Sequence, residues 1–422
     1  MIESIFQKYL EVGRVTTDTR NVLSNDIFFA LKGDNFNGNH FAKQALDSGA
    51  SMVVVDEEVG FESERLVRVE DSLKALQTLA KRYRETFSFP VIGITGSNGK
   101  TTTKELMREV LSMKYKTFAT HGNLNNHIGV PLSLLAVPAD CEIAIIEMGA
   151  NHQKEIASYC EYAMPNYGVI TNIGKAHLEG FGGVEGIIKG KGELFDYVSA
   201  HNGICLVNTE LAHLDTMAER IEHKKYGFKS GGFHLEIVSE HPTLSFEFIT
   251  PSDSEKQLCH SQMAGTYNLY NMATAIAIGH EFGVSGELMS KAISSYIPEN
   301  NRSQWWDSGK NKVILDAYNA NPSSMEAALL NLSKMENTFF IIGDMFEMGE
   351  YAEEEHRKIY SLTKELGLEG IFIGKEFQSV GATGLIDAQE ALSYLKLNEI
   401  KGRIVLLKGS RGMRLEQLKE VI

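Results

Sequence analysis

Residues 93–106 read GITGSNGKTTTKEL, and the reading of the chain turns on them. Gly93, Gly96 and Gly99 precede Lys100 and Thr101. The apolar run VIGIT (91–95) enters the stretch as a strand. TTKELMREVL leaves it as a helix, with Leu106, Val110 and Leu111 on an inner stripe. Strand, glycine loop and helix together make a cradle for a nucleotide triphosphate. Glycines let backbone N–H groups converge on phosphate oxygens, and the lysine adds positive charge. The hydroxyl after it holds magnesium, and the helix points its positive end at the anion. The expected nucleotide contacts are Gly96, Ser97, Asn98, Gly99, Lys100, Thr101 and Thr102. Such loops usually carry a glycine five residues before the second one; that position here is Ile94.

Working outward, EIAIIE (142–147) reads as a strand ending in Glu147. A carboxylate at a strand's C-terminal end, beside the first strand-to-helix loop, is where magnesium is held in nucleotide-binding α/β sheets. YGVIT (167–171) leads into TNIGKAHLEGFGG, which puts His177 at the same edge. Apolar strands alternating with helices predict parallel strands covered on both faces over a central domain, residues 89–297. Within it FHLEIV and LSFEFI predict a hairpin around His241-Pro242, and NLYNMATAIAIGHEFG a helix stopped by Gly283.

Residues 1–88 read as a smaller mixed α/β domain, with strands DIFFAL and SMVVVD. Its helix DSLKALQTLAKRYRE is capped by Asp71 or Ser72. Residues 298–422 read as a doubly wound domain with strands KVILDA, TFFIIG, GIFIG and RIVLLK, and a helix opened by a Ser323/Glu326 capping box. The fold class is therefore α/β in three domains.

The net charge of −14 argues against a nucleic-acid or anionic-membrane surface. No apolar stretch is long enough to span a bilayer, and the N-terminal MIESIFQKYLEVG reads as an amphipathic helix rather than a signal peptide. Cys141, Cys160, Cys205 and Cys259 show no CxxC spacing and read as reduced core thiols of a cytoplasmic protein. Nothing in the sequence demands more than a monomer.

The ordered set TGSNGKTTTKE, NLNNHIGVPLSLL, EMGAN, TNIGKAHLEGFG, GKGELF and GTYNLYNMATAIA resembles the Mur ligase family, the ATP-dependent amide-forming enzymes of peptidoglycan precursor synthesis. The resemblance spans all three regions. It implies that ATP phosphorylates a carboxylate and that an amine then displaces phosphate from the acyl phosphate. TDTRNVLSNDIFFALKGDNFNGNHF, DAYNANPSSMEAAL (316–329) and GDMFEMGEYAEEEH (343–356) are most similar to the member acting on UDP-N-acetylmuramoyl-tripeptide and D-alanyl-D-alanine. The Asp-Asn-Pro-Arg motif usual in the sibling that adds the third amino acid is absent. The usual Asp-Ser-Arg start is Asp18-Thr19-Arg20 here.

The resemblance also implies residue roles. Lys100 lies on the β- and γ-phosphates. Thr101 and Glu147 hold a first magnesium ion and His177 a second. A lysine of IIKGKGELF carries a carbamate; Lys189 and Lys191 compete, and the family's spacing of four residues before an aromatic selects Lys191, with Phe195. Lys100, Lys191 and His177 are thus the implied catalytic set. Asn271, with Asn268, packs on adenine; Arg302 reaches ATP; Asp316 meets the ribose. Asn319 and Asn321 orient dipeptide or nucleotide, and Lys408 and Arg411 contact substrate carboxylate or phosphate. Asn123, Asn125 and Asn126 face substrate, while Thr19, Arg20 and the loop from Lys32 to Phe41 grip the UDP-sugar. The alternatives are a Mur-type or folylpolyglutamate-type ligase with another acceptor, and a nucleotide-switch NTPase that passes phosphate to water.

Overall fold

Hydrophobic runs without alternation become buried parallel strands in all three regions of the computed structural model, which describes residues 1–219, 221–298 and 301–422. The domain boundary expected at 297–298 borders residues 299 and 300, which lie outside the described residues. In the first region Val15–Thr16, Ile27–Phe29, Met52–Val55 and Leu66–Arg68 pair in that order, all parallel. Ile27 and Phe29 face the helices Ile2–Val12 and Ser72–Arg84, whereas Phe28 faces the helix Ala42–Asp47. Burial on both faces is why these strands read as unbroken apolar runs. Asp71 is the cap of Ser72–Arg84, its side chain accepting from Lys74 N.

That helix ends on the joint with the central region. Arg84 donates to the carbonyls of Ala163 (2.9 Å) and Met164 (2.7 Å) and to Asn166 Oδ1 (3.1 Å). Asn166 Oδ1 also accepts from Val91 N, the first residue of the strand that feeds the glycine loop. Tyr9 and Tyr83 add bonds to the carbonyls of Leu135 and Val137.

The central sheet has six parallel strands in the order His223–Tyr226, Ile204–Asn208, Tyr167–Ile170, Val91–Thr95, Ile143–Glu147, Thr117–Ala119. From Val91–Thr95 the chain runs to the far edge, returns to Ile143–Glu147, then crosses to Tyr167–Ile170 on the other side. Strand order therefore reverses at Val91–Thr95, and the reversal opens a crevice at the carboxyl ends. The expected hairpin is present as His234–Ser239 and Ser245–Ile249, antiparallel, with Gln257–His260 as a third strand. It shares a core with the helices Lys100–Ser112 and Asn268–Glu281.

The last sheet runs Gln304–Asp307, Lys312–Asp316, Ile404–Lys408, Thr338–Gly343, Gly370–Ile373, Gly384–Leu385, parallel except for the first strand. The helix Pro322–Leu332 corrects one expectation. Its cap is Asn321, reciprocated by Ser324, with Pro322 at the first turn, and not Ser323 with Glu326. Proline cannot donate and has a helical φ, so it takes the first helical position and moves the cap one residue upstream of it. All four cysteines are free and buried. Among the described residues no helix is long and apolar enough to cross a membrane.

Arg84→Met would leave three acceptors of the joint without their donor. It should cost about 2–4 kcal/mol, as loss of charged hydrogen bonds in a buried site does. Calorimetry should show a lower unfolding midpoint; an unchanged midpoint would remove this residue from the joint.

Candidate active site

The glycine loop is packed so closely against neighbouring side chains that Gly96 and Gly99 leave no room for a Cβ. Gly96 has φ +141°, and a Cβ there would fall 2.0 Å from Thr171 Oγ1. Gly99 has φ +76°, and its Cβ would fall 2.4 Å from Asn271 Oδ1. The loop is stitched to the one after Tyr167–Ile170. Ser97 N and Asn98 N donate to Asn172 O and Oδ1, both at 3.0 Å. Thr171 Oγ1 donates to Asn98 O (2.6 Å), and Gly174 N to Ser97 Oγ (2.9 Å). Ile94 needs no glycine because it lies inside the strand with its side chain in the core. Lys100 Nζ bonds Gly96 O at 2.7 Å. Desolvation pushes its pKa down to about 8, opposed by the charge of Glu147.

Glu147 is buried at the end of its strand. Its Oε1 accepts from Asn125 Nδ2 (2.7 Å) and Thr101 Oγ1 (3.1 Å), while the buried Oε2 has no hydrogen-bond partner. The Thr101 hydroxyl and the Glu147 Oε1 beside it, hard oxygen donors at a phosphate loop, fit magnesium. Among the described residues no three His, Cys, Asp or Glu side chains converge, so such a cation would complete its shell from phosphate oxygens and water.

His177 takes a left-handed φ of 55°, and its Nδ1 abuts the Glu347 carboxylate of the last domain. That contact holds Glu347 below the usual carboxylate range. Lys191, 1 % exposed, gives one hydrogen bond, to Ala150 O at 3.0 Å, and sits 4.9 Å from the centre of the Phe181 ring. Burial, then the charge of Lys100, drives its pKa well below the ordinary lysine value, against the pull of Glu155 and Glu193.

The glycine loop, Glu147 and His177 line one wall of a cavity of about 620 Å³, and Lys191 is not among its lining residues. The last domain supplies the other wall. Lys408, fully buried, pairs with Asp316 at 2.5 Å, and Asp316 accepts from Ser303 N at 3.2 Å. Asn319 lines the cavity beside them, its carbonyl 3.4 Å from Lys408 Nζ. The Arg302 guanidinium stacks 3.6 Å above the Tyr318 ring. Asn321 Nδ2 crosses the gap to Asn98 Oδ1 at 2.7 Å. Lys175 crosses the other way, its N to Ser323 Oγ (3.0 Å) and its Nζ to Glu355 (2.7 Å).

Several expected residues carry internal bonds instead of open ends. Asn271 accepts from Thr103 Oγ1 and donates to Asn268, which donates to Ala264 O; both line the cavity while tying the Asn268–Glu281 helix to the loop helix. Asn126 caps the turn into Gly129–Leu135 and, with Asn123, lines the cavity. Thr19 and Arg20 lie on a turn of the first domain and are not part of this cavity; the largely exposed Arg20 pairs with Asp18 at 2.7 Å. Arg411 is exposed, 5.3 Å from the Tyr318 ring. The sequence reading missed Lys104, Asn172, Lys175, Ser323 and Glu347 as site residues. Asn172 was within reach, since it follows Tyr167–Ile170 directly at the edge already assigned to the site.

The profile of the Mur ligase middle domain matches residues 94–279, that of the Mur ligase family catalytic domain 11–84, and that of the Mur ligase glutamate ligase domain 301–411. The chain belongs to the Mur ligase family. A Bacillus subtilis relative named UDP-N-acetylmuramoyl-tripeptide–D-alanyl-D-alanine ligase is 34% identical, over 96% of this chain and 92% of its own length. The Escherichia coli protein of the same name is 32% identical, over 96% and 92%. A crystal structure of MurF from Acinetobacter baumannii has a TM-score of 0.88 at 31% identity, over 97% of this chain and 94% of its own. MurF ligase from Thermotoga maritima in complex with ADP has a TM-score of 0.86 at 28% identity, over 98% and 97%.

Gly96→Ala should lower ADP affinity by at least about tenfold, since the new methyl group displaces Thr171 and the loop with it. Isothermal titration on the folded variant measures this, and wild-type affinity would refute the close-packing account.

Proposed function

We propose that this chain joins the terminal carboxylate of UDP-N-acetylmuramoyl-tripeptide to the amine of D-alanyl-D-alanine, with ATP converted to ADP and phosphate. The observation that carries this reading is the single cavity walled by the phosphate loop and Glu147 on one side and by Lys408 and Asp316 of the last domain on the other. Relatives bearing that activity as their name cover almost the whole chain.

In this reading the first domain holds the UDP moiety, the central domain ATP, and the last the dipeptide. A tripeptide carboxylate oxygen attacks the γ-phosphorus, the bond to the β-phosphate oxygen breaks, and ADP leaves. The dipeptide amine then attacks the acyl carbon, loses a proton, and expels phosphate as the amide forms. Lys100 stabilises charge on the transferring group, which spreads over its oxygens in the transition state. Thr101 and Glu147 would hold magnesium, with His177 at a second ion; such ions would neutralise the phosphate charge that otherwise repels the attacking carboxylate. The interdomain bonds of Asn321 and Lys175 keep water from the acyl phosphate.

The surroundings of Lys191 support its carbamylation. A buried amine with one carbonyl partner is driven towards its neutral form, which is the form that adds to carbon dioxide. The product is an anion, better matched to nearby cations than an ammonium. ATP use and four reduced, buried cysteines support a cytoplasmic setting.

Phosphate release with UDP-N-acetylmuramoyl-tripeptide should require D-alanyl-D-alanine among a panel of dipeptides and diamino acids. ATP turnover independent of any carboxylate substrate would overturn the ligase reading. Lys100→Ala should reduce turnover by about 10²–10³, the cost of removing one strong electrostatic group.

A further inference from the structure

Lys104 lies on the loop helix one turn past Lys100 and is completely buried. Its Nζ is fixed by the carbonyl of Thr120 (2.5 Å) and the carboxylate of Glu105 (2.9 Å), and stands 3.7 Å from Glu147 Oε2. Thr120 is itself tied to the acid's backbone, its Oγ1 accepting from Glu147 N at 3.0 Å. The ammonium therefore cannot swing away from Glu147 without losing the Thr120 carbonyl and the Glu105 carboxylate. The two carboxylate oxygens face different surroundings. Oε1 lies with the Thr101 hydroxyl and Asn125 on the phosphate-loop side, and Oε2 lies by a fixed positive charge.

We propose that Lys104 is a positioning residue that sets the cation preference of the site, by leaving Glu147 only Oε1 to offer a divalent ion. The proposal rests on the reading above that Glu147 and Thr101 serve a nucleotide-bound cation. Calcium takes six to eight oxygens and commonly both oxygens of a carboxylate, whereas magnesium is satisfied with one oxygen, phosphate and water in a tight octahedron. A cation shared between Oε1 and Oε2 must approach the Lys104 ammonium; one on Oε1 alone need not. The lysine thus disfavours calcium by electrostatic repulsion while leaving the magnesium position open. It also leaves the trio of buried Lys104, part-buried Glu105 and buried Glu147 with one net negative charge rather than two.

The test is a titration of magnesium chloride and of calcium chloride into protein with ADP, read by calorimetry and by the shift in thermal midpoint, with no turnover involved. The wild type should half-saturate at a lower magnesium than calcium concentration. In Lys104→Met and Lys104→Gln the ratio should fall about tenfold, the order of effect of one unit charge a few ångströms away in a partly polar interior. Lys104→Arg, which keeps the charge, should restore most of the ratio. Folded Met and Gln variants with the wild-type ratio would overturn the inference. If neither folds, Glu105→Gln decides: the ammonium, freed of its partner, should move onto Oε2 and raise the ratio, and an unchanged ratio overturns the proposal. A wild type that takes up ADP with neither cation would instead refute the nucleotide reading itself.

Discussion

Two missing methyl groups govern this molecule. At Gly96 and Gly99 the loop turns through positive φ, and the space a Cβ would need is filled by Thr171 Oγ1 and Asn271 Oδ1. Because those contacts are so close, three segments distant in sequence are held as one piece: the loop, the turn after Tyr167–Ile170, and the start of the Asn268–Glu281 helix. The carboxylate of Glu147 and the last domain are both arranged around that piece. Ser97 N and Asn98 N are taken by Asn172, so an anion would be served by the N–H groups of the first helical turn, from Lys100 on.

Charge is the second organising feature. The chain carries a net charge of −14, yet Lys100 and Lys408 line its central cavity and Lys104 and Lys191 are buried outside that lining. Each is compensated differently. Lys408 has Asp316, and Lys104 has Glu105 and Glu147. Lys100 has two loop carbonyls, while Lys191 has one carbonyl and an aromatic ring. An ammonium buried without an anionic partner is costly. Lys191 is therefore the member least suited to remain a cation, and the one where added negative charge would be relieved rather than resisted.

The cavity exists only because two domains meet. Asn321 to Asn98, Lys175 to Ser323 and Glu355, and Glu347 to His177 all join the last domain to the loops at the carboxyl ends of Val91–Thr95 and Tyr167–Ile170. These are polar contacts between loops and helix starts, alongside an apolar cluster that includes Leu178 and Phe181 of the central domain and Met345 and Met348 of the last. They join the two walls without fixing them, which suits a site that must admit three substrates and then exclude water.

Period and local chemistry made the architecture legible. Val91–Thr95, Ile143–Glu147 and Thr338–Gly343 are unbroken apolar runs because both faces are covered, and the glycine loop has no other economical use. The strand His223–Tyr226, sequence HKKY, was illegible because an edge strand needs little apolar surface. The cap at Asn321 was misplaced because Ser323 and Glu326 satisfy the local pattern equally well until Ser323 is seen to bond Lys175 across the domains. Sequence by itself determined the three α/β domains, the phosphate loop and the acid at the strand end, because each depends on residues near one another in the chain. Only the tertiary structure decided that Lys104 stands 3.7 Å from one oxygen of Glu147, that Glu347 meets His177, and that Asn271 bonds both Asn268 and the loop helix. Those facts depend on distances between segments far apart in sequence, which no local pattern encodes.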